Sequence, residues 1–249
     1  MRWSIVAMLV APALAVAQAA APVPYRLMTP KAALAGRSTA QLAVLEKLNR
    51  VDRAHLAGLG VVVVPVMWDD GPTAHSPLPL VWSAAFPYPK AIAVDVAGQV
   101  FGAYEYGVLV RWAPVSSGRR DDRTPPGFYH LNWHSTGRHS TVDPKWFMPW
   151  YFNFGSREGI AFHQFDLPGR PASHACVRLR EDDARWLWDW GEGWTLAEDG
   201  RSVLTRGTPV AIVGTYTFDR PPPWRSLAWL AQPVALPLVF PDQSPARKG

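Results

Sequence analysis

Alternation of apolar and polar positions is the strongest pattern in the chain, and most of it lies between residues 91 and 213. Side chains of a strand point to opposite faces at successive positions, so short alternating runs bounded by Gly or Pro indicate strands. Two Gly-containing turns separate the first three runs, which predicts two antiparallel hairpins. The predicted strands are 91–96, 99–105, 108–115, 128–131, 159–163 and 208–213.

Two segments have helical spacing instead. Three Leu residues recur at every third position between Ser38 and Val51, and Ser38 is a suitable helix cap. This helix leads through a Gly-rich turn into a short strand at 61–65. Residues 181–190 begin with acidic side chains, which favour a helix N-terminus, and continue with Trp and Leu at helical spacing. The chain is therefore predicted to be mainly β and sandwich-like, with one or two helices and a small N-terminal helix-strand appendage.

The remaining segments lack a regular period. Residues 20–38 are rich in Pro and Ala and are predicted to be a linker, and residues 68–90 are predicted to connect the appendage to the first strand. The stretch 132–154 is predicted to be irregular. Three histidines near it lack the Glu of a helical H-E-x-x-H zinc motif, so we treat them as loop residues: His130, His134 and His139.

The first nineteen residues have the layout of a secretory signal peptide. A positive start precedes an apolar run from Ser4 to Val16, and an A-x-A cleavage site follows at 17–19. The run is shorter than the roughly 20 residues that span a bilayer, although an uncleaved anchor is the alternative. We expect a protein exported to the periplasm or cell wall, with no membrane span after signal cleavage. The predicted organisation is signal peptide 1–19, linker and appendage 20–89, main domain 90–215 and Pro-rich tail 216–249, parts of which dock on the domain.

Composition and charge narrow the class of partner. Apolar residues make up 48% of the chain and charged residues 18%, which is enough for a core and unlike a disordered protein. The net charge of +5 and the pI near 9.6 favour an anionic partner. No Lys/Arg run or recognised nucleic-acid module is present, so a polyanionic cell wall or membrane surface fits better than nucleic acid.

The chain has one cysteine, Cys176. In an oxidising compartment such a residue is a reactive thiol, half of an intermolecular bridge, or a buried apolar side chain. A thiol needs a base or nearby positive charge to become a good nucleophile, and His163, His174 and Arg178 are close in sequence. If residues 175–177 are extended, the side chains at 174, 176 and 178 share one face.

Other uses of these residues stay open. His163, His174 and Cys176 are also three candidate zinc ligands with an open fourth position, although the usual paired ligand spacings are absent. The C-G-S-C-W type of surround found in papain-like proteases is absent. A structural Cys buried in a strand is a further alternative.

The string Ser173–Leu179 (SHACVRL), preceded by His163, resembles the hallmark of the L,D-transpeptidase (YkuD-type) catalytic domain family. That hallmark is a His on one strand, a short loop, and then S-H-G-C-[IV]-R-L. Further segments resemble the family in the same order, namely the opening hairpins at 91–118, a T-P-x-G-[FY] element at 123–131, the approach to the His at 148–164, and a closing helix and strand at 181–190 and 207–213. The resemblance covers residues 90–214 and implies a YkuD-type catalytic domain.

The resemblance also implies a reaction. Cys176 would attack the carbonyl after the third residue of a peptidoglycan stem peptide and form a thioester. His163 would take the thiol proton and later activate the acceptor amine, and His174 would line the site. No metal or other cofactor is implied.

Supporting roles follow from the same resemblance. Ser173 would hold the loop by hydrogen bonding, and backbone N–H groups around Ala175 and Cys176 would form an oxyanion hole. Arg178 would support the site or contact an anionic part of the substrate, with an ion pair to an acidic residue of the next helix as the alternative. Two residues depart from the family pattern, Ala175 in place of Gly and Gln164 in place of a small residue. Ala tolerates a positive φ poorly, so activity would be altered or lost.

Three functions are therefore considered. The first is L,D-transpeptidation of stem peptides, with a wall-anchored lipoprotein as a further candidate partner. The second is L,D-carboxypeptidase activity, in which water replaces the acceptor amine. The third is a non-catalytic peptidoglycan-binding protein with a degenerate site. It is suggested by Ala175 and by residues 45–65, which resemble the second half of a LysM peptidoglycan-binding module.

Overall fold

A computed structural model describes residues 25–155 and 159–240. The predicted signal peptide at 1–19 lies outside these residues. The strands, in chain order, are β1 (Tyr25–Met28), β2 (Val62–Pro65), β3 (Lys90–Asp95), β4 (Val100–Glu105), β5 (Val108–Pro114), β6 (Gly127–His130), β7 (His134–His139), β8 (Phe147–Gly155), β9 (Ile160–Gln164), β10 (Val177–Leu179), β11 (Thr195–Leu196), β12 (Val203–Thr205) and β13 (Pro209–Val213). The α-helices are α1 (Pro30–Leu34), α2 (Thr39–Asn49), α3 (Arg53–Leu56), α4 (Glu181–Trp190) and α5 (Leu227–Leu230).

The N-terminal appendage is a compact strand-helix-strand unit. β1 pairs antiparallel with β2, and α1, α2 and α3 lie between them in sequence. Helix α2 begins with the predicted cap, since the Ser38 hydroxyl accepts the Gln41 N–H and the Gln41 side chain accepts the Ser38 N–H. The linker prediction for 20–38 is wrong from Tyr25 onward, because β1 is only four residues long and its partner is far along the chain.

Two large sheets and the small two-stranded sheet β11–β12 form the main domain, and this topology confirms the mainly β, sandwich-like prediction. The five-stranded sheet has the order β5-β4-β3-β13-β6, and the four-stranded sheet has the order β10-β9-β8-β7. The two predicted hairpins, β3–β4 and β4–β5, are antiparallel as expected. β13 lies parallel to β3, and β10 lies parallel to β9.

The stretch 132–154 is not irregular as predicted, because it forms most of the hairpin β7–β8. β8 is buried on both faces over residues 151–155, which removes the alternation that signals a strand. β7 is a polar edge strand, and Trp150 interrupts β8 with a φ of +54°. His134 and His139 are therefore strand residues of β7, and His130 ends β6, so the loop assignment of these histidines is wrong.

The core lies between the two sheets and beneath α4. Phe101 of the five-stranded sheet meets Phe162 of the four-stranded sheet, and Phe154 packs on Phe162 at a ring-centroid distance of 4.7 Å. Burial of one such side chain contributes roughly 1.5–3 kcal/mol. Leu187 of α4 joins the same cluster. This packing fixes β9 and β10, the two strands that carry the candidate site.

The tail docks on the domain. Trp224 is fully buried in the main core, and Phe240 packs against Trp82 at a centroid distance of 4.8 Å. Over the part of the chain that the structure describes, no helix has the length and apolar character needed to cross a bilayer.

Candidate active site

The parallel pair β9–β10 brings the two halves of the sequence motif together. Arg178 lies opposite His163 in the register of these strands, and Cys176 immediately precedes β10. A short connection of residues 165–176 joins the two strands. Residues far apart in the motif therefore become neighbours through backbone pairing.

One pocket collects most of the candidate residues. It has a volume of about 140 Å³ and is lined by Cys176, His163, His174, Ser173 and Arg178. Ala175 is not among the lining residues, and its methyl group packs on the main core instead. The thiol is free and half-buried. Nucleophile and base candidates thus face one cavity.

The environment of Cys176 keeps it a thiol at neutral pH. Burial raises its pKa above the ordinary value, opposed by a hydrogen bond from the Ala161 main chain and by the charges of Arg178 and Arg138. The sulfur packs beside Met148, Tyr151 and Ala161. Because the thiolate is not formed spontaneously, attack by this sulfur requires a base that takes its proton.

His163 has the properties of that base. It is only 4% exposed, and its Nδ1 lies 2.9 Å from the Gln164 carbonyl oxygen. A carbonyl oxygen can only accept a hydrogen bond, so Nδ1 must be the donor in this contact. The proton of the neutral imidazole is therefore on Nδ1, and Nε2 is left as an acceptor. Burial lowers the pKa of His163 to about 4, with the Gln164 hydrogen bond opposing this change and the Arg178 charge adding to it. The imidazole is neutral at physiological pH.

This shift predicts that acid weakens the fold through His163. The pKa is 6.5 ordinarily and about 4 in the folded protein, so the unfolded chain binds an extra proton between these values. The stability is present above pH 6.5 and is lost as pH falls toward 4, by about 3 kcal/mol. Urea unfolding at pH 7 and pH 4 should show that the free energy of unfolding falls less in His163→Gln than in the wild-type protein. The half-buried His130, whose pKa is also lowered to about 4, contributes equally to both proteins. Equal losses in both would contradict the prediction.

His174 lies at the edge of the pocket between two segments. Its Nε2 is 3.8 Å from Oδ2 of Asp122, whose carboxylate also accepts from Nε of Arg119 at 2.6 Å. The Trp146 ring packs on the imidazole at a centroid distance of 5.1 Å. His174 is therefore held by the loop before β6 and by the tip of the β7–β8 hairpin.

The segment between Ser173 and Val177 is a tight loop rather than the extended strand considered from sequence. Ala175 has a φ of +70°, the left-handed conformation that a Gly would adopt without strain. The Ser173 hydroxyl donates to the Cys176 carbonyl, in line with its predicted support of the loop. The Ala175 N–H donates to the Asp122 carbonyl at 3.0 Å, and the Ala175 carbonyl accepts from Thr124 at 2.7 Å. An oxyanion role for the Ala175 amide would require its bond to Asp122 to break.

We expect Ala175→Gly to raise the free energy of unfolding by up to about 1 kcal/mol. Removing the strain at positive φ gains more than the lost methyl contact with the core and the added flexibility of the unfolded chain cost together. Ala175→Val should lower it by about 1–3 kcal/mol, because a β-branched residue is disfavoured at this φ. Denaturant unfolding measures both. Ala172→Gly, at a neighbouring position with ordinary φ, is the control and should destabilise slightly. Destabilisation by Ala175→Gly would contradict the strain.

Arg178 is paired, but with a different partner from the one considered. Its Nη1 lies 3.0 Å from Oδ1 of Asp166, and its guanidinium packs 4.5 Å above the Phe165 ring. An ion pair with the next helix is therefore wrong. The acidic Asp183 of α4 pairs with Arg180 and Arg111 instead. Within the described residues, no group of three or more His, Cys, Asp and Glu side chains is arranged to hold a metal ion, so the zinc alternative has no support there.

Sequence reasoning named no residue of the β7–β8 hairpin as a site residue, although the aromatic side chains between Trp133 and Phe154 were considered as a wall for the substrate or as core. Arg138, Met148, Tyr151 and Trp146 line the pocket. The many aromatic side chains of this stretch indicated a wall of the site. The strand itself was not predicted, because the backbone turns at Trp150, which has a positive φ, and the alternation of buried and exposed positions is lost there.

A family model for the L,D-transpeptidase catalytic domain matches residues 89–212. Comparison with curated proteins gives no match. Among solved structures, an L,D-transpeptidase from Stackebrandtia nassauensis is 21% identical, with 51% of this chain and 56% of that chain covered and a TM-score of 0.42. An L,D-transpeptidase from Xylanimonas cellulosilytica is 27% identical, with 72% and 81% covered and a TM-score of 0.45.

An L,D-transpeptidase from Mycobacterium smegmatis is 17% identical, with 51% of this chain and 59% of that chain covered and a TM-score of 0.41. The chain thus spans less than two thirds of the first of these structures, 56% in the Stackebrandtia case. The family model covers both strands of the pocket, the loop between them and the helix that follows. Residues 89–212 therefore belong to the YkuD family of L,D-transpeptidase catalytic domains.

Proposed function

We propose that this chain is an exported peptidoglycan L,D-transpeptidase in which Cys176 is the nucleophile and His163 the base. The observation that carries the proposal is that the single thiol of the chain shares a pocket with a buried imidazole. Its Nδ1 contact with the Gln164 carbonyl leaves Nε2 to accept a proton. The family acts on peptidoglycan stem peptides, which supplies the substrate class.

The first half of the reaction transfers an acyl group to sulfur. The thiol proton of Cys176 passes to Nε2 of His163 while the sulfur attacks the carbonyl carbon after the third stem residue. The imidazolium then gives this proton to the leaving amine as the C–N bond breaks. A thioester and a free amino acid result.

The second half transfers the acyl group to an acceptor amine. The amine attacks the thioester carbonyl and gives a proton to His163, which returns it to sulfur as the C–S bond breaks. The Cys176 N–H is the main candidate for the oxyanion donor, because the Ala175 N–H is bonded to Asp122. The neutral state of His163 suits both proton transfers.

The product of a stem tetrapeptide distinguishes the candidate functions. We expect the purified protein, incubated with disaccharide tetrapeptide, to give a cross-linked dimer that has lost one terminal residue, as detected by mass spectrometry. Shortened monomer without dimer would indicate carboxypeptidase activity. Unchanged peptide, together with binding of the protein to isolated sacculi, would favour a wall-binding protein and contradict the proposal.

Location and partners belong to the same proposal. A signal peptide at 1–19 and the cell-wall role of the family support export to the periplasm or wall. The N-terminal unit, in which β1 and β2 pair around α1–α3, is a candidate wall-binding appendage. A wall-anchored lipoprotein is a further candidate acceptor.

A further inference from the structure

The pocket around Cys176 is lined by basic side chains but by no acidic ones among the described residues, and the proposed chemistry gives no role to this positive charge. Two Arg and two His line it, and none of its described lining residues is Asp or Glu. Arg178 is neutralised by Asp166, and His174 faces Asp122. Arg138 makes no ion pair with any carboxylate of the described residues, which leaves its charge available to a ligand.

The Arg138 side chain is held in place before any ligand arrives. It extends from β7 opposite Met148, and its guanidinium lies 5.1 Å from the Tyr151 ring centroid and 5.2 Å from that of Trp133. Stacking on aromatic faces fixes a guanidinium plane. The Nε–H of Arg138 donates to the His139 carbonyl at 3.4 Å and the side chain also hydrogen-bonds to Tyr151, which leaves the remaining Nη N–H groups for a carboxylate. Tyr151 packs in the same cluster as Cys176, so the cation lies beside the nucleophile.

A peptide bound for attack by Cys176 brings a carboxylate to this place. If the peptide ends one residue after the scissile bond, its terminal carboxylate carbon is three bonds from the attacked carbonyl carbon, within about 4 Å. A second source is a side-chain carboxylate on the residue that precedes the scissile bond. Both are acids on the two residues that flank the scissile bond.

We propose that Arg138 is a specificity-determining residue that binds a peptide carboxylate next to the scissile bond. This inference rests on the proposed function, because the scissile carbonyl is placed by attack of Cys176. The protein would therefore select peptides with a free acid at this position over their amides. Charge-assisted bidentate bonds of this kind make a difference of about tenfold in affinity.

Binding measured without turnover tests the inference. The test uses the Cys176→Ala variant and a tetrapeptide whose third residue has a side-chain carboxylate. Calorimetry compares three forms of this peptide: one with both carboxylates free, one amidated only at the C-terminus, and one amidated only on the side chain of the third residue. We expect one of the two amides to bind about tenfold more weakly than the free acid, which identifies the source of the carboxylate. Arg138→Gln should weaken the free acid about tenfold and remove this preference, and Arg138→Lys should keep part of it.

The matched control is Arg185→Gln, since Arg185 also stacks on a tryptophan, Trp150, but does not line the pocket. This control should keep the full preference. Persistence of the preference in Arg138→Gln, equal binding of all three peptides, or binding of none would overturn the inference. Failure of the proposed function has a different signature, in which the acid preference is present but the wild-type protein forms no thioester.

Discussion

Replacing Cys176 by Ser is expected to lower acyl transfer at least about 10³-fold. The hydroxyl holds its proton far more tightly than the thiol does, and a neutral imidazole such as His163 is too weak a base to make an oxygen nucleophile without further support. The fold should persist, because the side chain is small, half-buried and of similar shape. Turnover of a stem tetrapeptide followed by mass spectrometry measures the loss, and denaturant unfolding confirms that stability changes by less than about 1.5 kcal/mol.

Ser140→Ala is the control for Cys176→Ser. Ser140 lines the same pocket but carries no proposed chemical role, and its hydroxyl accepts only from the Val142 N–H among the hydrogen bonds described. It should retain the thioester step. Wild-type turnover by Cys176→Ser would show that the sulfur is not the nucleophile.

His163→Asn is expected to slow thioester formation by about 10²–10⁴-fold, the usual contribution of a positioned general base. The substitution removes the proton acceptor for a thiol whose pKa is raised by burial, so the thiol is left protonated during attack. Rapid-quench kinetics of acylation measures the effect. Because the pKa of His163 is about 4, the wild-type rate should show no loss of base between pH 7 and pH 5.

His134→Asn is the matched control, because His134 stacks on Trp188 at 4.6 Å and does not line the pocket. It should acylate at the wild-type rate. Unchanged acylation by His163→Asn would assign the base to another group. An acid limb of the wild-type profile near pH 6.5 would contradict the lowered pKa of His163.

Local patterns in the sequence were sufficient for part of the fold. The hairpins β3–β4–β5 follow from alternation and Gly turns within one short segment, and α4 was predicted with the bounds observed, Glu181–Trp190. β1 depends on a partner distant in sequence, so its own residues carry little signal, and β7 is a polar strand whose residues show no apolar alternation. β8 is buried on both faces, and its period is broken at Trp150.

The same distinction applies to the site. Cys176, His163 and Arg178 were predicted as neighbours, and they do line one pocket. Arg138 was missed, since it lies on the edge strand β7 that no local pattern indicates. The positive φ of Ala175 was anticipated, because the family has Gly at that position. The hydrogen bond from the Ala175 N–H to the Asp122 carbonyl was not, because Asp122 lies in a loop about fifty residues earlier in the chain.

The most direct test of the account is the mass of the intact protein during turnover. Wild-type protein quenched after mixing with stem tetrapeptide should gain the mass of the acyl tripeptide, and peptide mapping should locate the adduct on Cys176. Cys176→Ser should show no thioester adduct. Product formation without an adduct on the wild-type protein, or an adduct on any residue other than Cys176, would contradict a thioester mechanism at this sulfur.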